Sequence, residues 1–212
     1  MIKLLNISFF IFTFVNIISA QGFDVKASGA QTFSFEDSTG RNQASFHSYT
    51  PFEEVNGLTT QIHGTVSFDV RNFSNTLQGE VTIPVASLKT GIAKMERDLR
   101  SSAWLNAEKY PSISFKIVKV DSVQKLAPNK LKASVLGNFT LHGVTKEISA
   151  NATLTYLDEN EETEKRMPGD LLGVVASFSI KLSDYNVEHM LLGKKVSNNI
   201  DIKINLVGTN KF

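Results

Sequence analysis

From Ile62 onward the chain alternates apolar and polar residues with a period of two, in one run after another. Ile62, Gly64, Val66, Phe68 and Val70 share one phase, and Leu77, Gly79, Val81, Ile83 and Val85 repeat it. Leu131, Ala133, Val135, Gly137, Phe139 and Leu141 form a third run. Val144, Ile148, Ala150, Ala152, Leu154 and Tyr156 form a fourth, with Lys146 intruding. Val174 to Leu182 and Ile200 to Leu206 complete the set. Successive side chains of a strand point to opposite faces, so each run predicts a strand with one wet and one dry face. Segments 23–35 and 44–50 are compatible but weaker, and 113–120 is apolar on both phases. About eight or nine strands joined by short links predict an all-β sandwich or barrel.

Turn chemistry agrees. Only His142-Gly143 separates Leu141 from Val144, which suits a two-residue hairpin. The polar stretch 158–170 reads as a solvated hairpin loop. One segment breaks the pattern: 92–107 is rich in helix formers and carries Ile92, Met95, Leu99 and Ala103 at helical spacing, with Pro111 beyond it. An amphipathic helix between two strands is expected to lie across an open end of the sheet structure.

The first twenty residues form a separate object. Lys3 precedes a nearly continuous apolar stretch from Leu4 to Ile18, and Ile18-Ser19-Ala20 offers small residues for cleavage. This is the layout of a secretory signal peptide at 1–20, leaving 21–212 as the mature domain. The reading predicts a periplasmic or secreted protein whose mature chain does not insert stably in a membrane. The chain has no Cys, so it has neither a lipid-attachment cysteine nor a disulfide framework.

Composition excludes other classes. With 22 basic and 21 acidic residues the formal charge is +1, and removal of Lys3 with the leader makes the two equal. No basic surplus exists to hold a nucleic-acid backbone. His47, His63, His142 and His189 form no metal-ligand pair, and no phosphate-cradling or nucleophile motif occurs. No facing pair of buried carboxylates can be built from the pattern. The expectation is therefore a non-enzyme with no catalytic residues, metal or resident cofactor. Fifteen Phe against one Trp and four Tyr point to a core or pocket that needs no hydrogen-bond partner.

Three stretches are similar to a known family. Val85-Ala86-Ser87-Leu88-Lys89-Thr90-Gly91, then Arg97 to Ser101 and Trp104 to Pro111, resemble the middle of the YceI-like family. Gly137 to Lys146 resembles its second signature and Phe178 to Tyr185 its third, in order over about Phe23 to Val207. The resemblance implies an extended lipocalin-like eight-stranded antiparallel β-barrel with one short helix, at 92–107, inserted between strands. It also implies an exported protein that binds polyisoprenoid or similar amphiphilic lipids, a quinone-like ligand among them. The chain departs from the family pattern where Asp98 directly precedes Leu99, and over Ser48 to Glu54.

A barrel of about eight strands is just wide enough to be filled by its own side chains or to hold one small ligand. The dry phase includes Gly64, Gly79, Ala133, Gly137, Ala150, Ala152 and Ala176. These either leave the interior hollow or fit a tapered, packed core with bends at its corners. The residues alone leave both open; the resemblance implies the hollow. The residues expected to touch an apolar guest are Val66, Phe68, Val81, Ile83, Leu99, Trp104, Phe115 and Ile117. With them go Val135, Phe139, Leu141, Ala150, Ala152, Phe178, Ile180 and Ile202. Arg97 and Arg100 are candidates to meet a polar head at the mouth. The expected function is to sequester or carry a long isoprenoid; the alternatives are a structural or stress-related barrel without ligand and a lipid-modifying enzyme. A homodimer is compatible with the sequence.

Overall fold

The structure, a computed structural model, describes residues 21–212. The expected leader at 1–20 lies outside the described residues. Ten strands form one antiparallel sheet. They are β1 (Ala30–Ser34), β2 (Gln43–Tyr49), β3 (Glu54–Thr59), β4 (His63–Asp69) and β5 (Gln78–Pro84), followed by β6 (Ser112–Ala127), β7 (Lys130–Leu141), β8 (Val144–Leu157), β9 (Leu171–Lys181) and β10 (Asn199–Thr209). The hydrogen-bonded order is β1-β4-β5-β6-β7-β8-β9-β10-β2-β3, and pairing of Ser34 with Thr209 joins β1 back to β10. Eight strands thus close into a barrel, as the resemblance implied.

The other two strands extend the wall. The edge of β10 from Ile200 to Asn205 pairs with β2, beyond the point where β1 attaches. The β2–β3 hairpin therefore raises the barrel above β1. Its far edge is tied down by one bridge, in which Leu58 and Lys89 exchange backbone hydrogen bonds of 2.8 Å each.

One end is plugged. The segment before β1 and a single helical turn, α1 (Phe73–Thr76), place Phe23 and Phe73 against Phe33, Phe68 and Tyr156. Ring centroids there lie 5.2 to 5.8 Å apart, in tilted, edge-on and stacked pairs. Such contacts add to simple burial. The Arg71 guanidinium donates to the carbonyls of Phe23 and Val25 and pins the plug. Much of the Phe surplus is spent here.

The doubly apolar stretch 113–120 has a physical cause. β6 carries register shifts between Ile117 and Lys119, Val120 and Ser122, and Lys125 and Ala127. Each extra residue switches which phase faces inward. Phe115 and Ile117 point inward in one phase and Val120 and Val123 pack inward after it, while Val118 is exposed.

The helical segment is shorter than the spacing predicts. The helix, α2 (Ala93–Arg100), ends where Ser101 turns back, and a chain of turns reaches Tyr110. Asn106 adopts a left-handed φ of 47°, incompatible with a helix continuing to 107. The hairpin at His142-Gly143 has φ of 51° and 75°, as a tight two-residue turn requires. In the polar loop a short helix, α3 (Glu161–Glu164), is closed by an Asn160–Thr163 capping box.

Candidate ligand-binding cavity

The barrel interior is built in layers set by strand register. Nearest the plug, Leu131, Leu154 and Val174 stand side by side, and Leu206 faces Val174. One layer further, Ala133 pairs with Ala152 and Ala152 with Ala176; Ala176 faces Ile204, which faces Ala44. Five adjacent strands thus contribute four alanines at one height. Toward the other end the side chains grow again, through Phe178 and Ile202 opposite Phe46, and Phe139 opposite Phe115. A waist of alanines between bulky layers leaves a hollow.

That hollow measures about 620 Å³, in the range of small-molecule sites. Ile83, Phe115, Ile117, Phe178, Ile202 and Ile204 face inward from their strands yet remain only partly covered, because their free area faces the cavity. All but one of the residues expected to touch a guest line it. Val66, Val81, Ile83, Phe115, Ile117, Val135, Phe139 and Leu141 come from β4 to β7. Ala150, Ala152, Phe178, Ile180 and Ile202 come from β8 to β10, and Leu99 and Trp104 from α2 and the turns after it.

Phe68 is the correction. It lies 2% exposed within the aromatic plug, stacked on Phe33, and does not reach the hollow. Its phase is inward, but its height belongs to the closed end. Gly64 and Gly79 also do not contribute space. With φ of 138° and 146°, each lies so close to the neighbouring strand that a Cβ would collide with Glu80 O at 2.1 Å or Thr65 O at 2.2 Å. They permit close strand approach. Gly137 is covered by the Phe115 ring.

The sequence reading missed part of the wall. Phe35, Ala44, Phe46, Ser48 and Val55 line the cavity, as do Leu105, Leu191 and Val196. Alternation over Ala44, Phe46 and Ser48 was the available signal for the first group.

The mouth lies among three segments: the β2–β3 turn, α2 with the loop before it, and the loop between β9 and β10. The ionisable residues of the lining are all here, namely Glu53, Lys94, Asp98 and Lys195. Lys94 Nζ lies 2.5 Å from Asp98 Oδ2. The helix meets the cavity with Ile92, Met95 and Leu99, the residues whose spacing marked its apolar stripe. Arg97 and Arg100 do not line the mouth; the Arg100 guanidinium donates to the Ala86 carbonyl at 3.1 Å. Helical geometry turns them away from the stripe.

Two contacts set the frame of the mouth. Glu96 accepts backbone hydrogen bonds from Thr90 and Gly91 at 3.1 and 3.2 Å, and Lys89 lies 3.4 Å away. The Thr90 bond leads in holding its carboxyl below the usual range. Trp104 stacks on His189 at 4.3 Å, joining the turns after α2 to the β9–β10 loop. Deeper, Tyr185 packs edge-on against Phe139, and burial, aided by Asp184, pushes its phenol up to about 12. Its hydroxyl has no hydrogen-bond partner among the described residues.

A family model described as YceI-like domain matches residues 24–208. The chain belongs to the YceI-like family. A UPF0312 protein of Photorhabdus laumondii is 34% identical over 152 residues, covering 72% of each chain. A protein YceI of Salmonella arizonae is 33% identical over 131 residues, 62% of each. Among solved structures, Burkholderia cenocepacia BcnA superposes with a TM-score of 0.63 at 20% identity, over 82% of this YceI-like chain and 100% of its own. A polyisoprenoid binding domain from Saccharophagus degradans, implicated in plant cell wall breakdown, gives 0.60 at 13% identity, over 87% and 99%. At these identities the structural likeness establishes the shared fold.

No helix among the described residues is long and apolar enough to cross a membrane.

Proposed function

We propose that this YceI-like protein binds one long apolar lipid, a polyisoprenoid or quinone-like chain, inside the barrel and holds it away from water. The carrying observation is the hollow of about 620 Å³ walled by aliphatic and Phe side chains, with ionisable groups only at its mouth. Burial of each CH₂ contributes about 0.8 kcal/mol, so a chain of many carbons binds without a single hydrogen bond. The ligand described for the Saccharophagus degradans neighbour supports the isoprenoid class.

The reading is one of binding rather than catalysis. General acid–base chemistry needs a titratable group within reach of the reacting atom, and the deep lining offers Val, Ile, Leu, Ala and Phe. With the leader expected at 1–20, the working compartment is the periplasm or the exterior, where an apolar lipid needs a shielded carrier.

The test is mass spectrometry of lipids extracted from protein isolated from the cells that make it. The expected result is a stoichiometric lipid with a long unsaturated chain. Absence of any bound lipid, together with no quenching of Trp104 on titration with a polyprenol, would sink the reading. Trp104 is the chain's one tryptophan and lines the cavity, so its emission reports the guest directly.

A further inference from the structure

Three of the four large apolar side chains most exposed to water are gathered at one end of the molecule. Phe52 is 87% exposed, Met190 78% and Tyr49 73%; of comparable exposure is only Phe212, at 76%. Phe52 and Tyr49 belong to the turn end of the β2–β3 hairpin, which contributes Ser48, Glu53 and Val55 to the cavity wall. Met190 adjoins Leu191, which also lines it. Ile92, 55% exposed, stands at the start of α2 and reaches the same mouth. These segments are neighbours: Ser197 N–H donates to Ser48 Oγ at 2.9 Å, and the Leu58–Lys89 bridge ties the hairpin to the loop before α2. Apolar tips thus crown the opening of an apolar cavity.

We propose that this rim docks on a lipid bilayer, setting the cavity mouth against the membrane so that the guest passes between them without crossing water. The proposal rests on the reading of the cavity as a lipid site. Several features favour a bilayer over a protein surface. The tips are separate protrusions on three loops, each able to enter the interface alone, as amphipathic membrane anchors do. Tyr49 joins an apolar ring to a polar hydroxyl, the form enriched at membrane–water boundaries. Lys194 and Lys195, beside Met190, make no ion pair among the described residues and are free to meet headgroup phosphates.

Flotation of the purified mature protein, residues 21–212 without the apolar leader, with vesicles of phosphatidylethanolamine and phosphatidylglycerol tests this. The chain is expected to float with the vesicles. A Phe52→Ser, Met190→Ser variant is expected to bind at least about tenfold more weakly with an unchanged melting temperature, since two large apolar side chains no longer enter the interface. A cavity-filling Ala152→Phe variant is expected to float like the parent while taking up no lipid. Equal flotation of the parent and the rim variant overturns the proposal. So does a parent chain that stays unbound, including one whose rim is covered in a homodimer on size exclusion. If parent and Ala152→Phe both float and neither ever holds lipid, docking stands and the cavity reading fails. Lipid in the cavity of a chain that never floats gives the reverse.

Discussion

The ring of Phe115 lies against the α-carbon of Gly137, so that a Cβ built there would sit 2.3 Å from Phe115 Cζ. Gly137 is two residues from Phe139, the direct partner of Phe115, and the ring leans diagonally across the strand to cover it. Gly137→Ala forces that ring into the hollow. The expected outcome is a loss of about 1–3 kcal/mol in denaturant unfolding, as for other overpacked cores, with weaker uptake of an apolar fluorescent probe. Unaltered stability and uptake would show that the ring can move aside freely.

Ala152 faces the cavity from the middle of the alanine waist, flanked by Ala133 and Ala176. Ala152→Phe puts a ring into space the native chain leaves empty. The melting temperature is expected to hold or rise, because filling a void restores dispersion contacts. Polyprenol quenching of Trp104 is expected to fall at least about tenfold, the ring occupying volume the guest requires. A sharp drop in melting temperature would mean that no hollow exists at this height.

Glu96 holds the loop before α2 through Thr90 and Gly91. Its folded-state pKa is lowered, so its contribution is present above the ordinary glutamate range and declines as pH falls toward the folded value. Protonation weakens the acceptor and releases the loop. Hydrogen exchange over 89–100, taken relative to the intrinsic amide rate at each pH, is expected to be slow at neutral pH and to quicken in acid before the barrel strands follow. Glu96→Ala is expected to show the fast pattern at neutral pH. Exchange indifferent to both would remove the carboxylate from this role.

Tyr185 buries a hydroxyl with no partner among the described residues, and burial raises its pKa further above the physiological range. An unsatisfied buried polar group costs free energy, so Tyr185→Phe is expected to raise stability by up to about 1 kcal/mol. Equilibrium unfolding reads this directly. A loss of similar size would show that the hydroxyl is bonded in solution.

Much of the site was legible because inward phase is a local property. Val135, Phe139 and Leu141 face the hollow for the same reason that Lys132, Ser134 and Asn138 do not: alternation along one strand. Height along the barrel is not local. Val66 and Phe68 share a phase, yet Val66 borders the cavity while Phe68 is sealed in the plug by Phe23 and Phe73, residues from outside the barrel strands. The mouth was harder still. Arg97 and Arg100 sit on the expected helix, and only its orientation shows that Lys94 and Asp98 face the opening instead.

By itself the sequence determined that this chain makes strands with one dry face, where most of them run though not β3 (Glu54–Thr59), and that a short helix interrupts them. Period-two and helical patterning are written in neighbouring residues, and no distant contact is needed to read them. The tertiary structure alone decided that Ala44, Ala133, Ala152 and Ala176 stand at one height, and hence that the barrel is hollow. Those four residues are far apart in the chain, and their alignment depends on the register accumulated across five strands. A register fixed by hydrogen bonds between distant segments leaves no trace in any one of them.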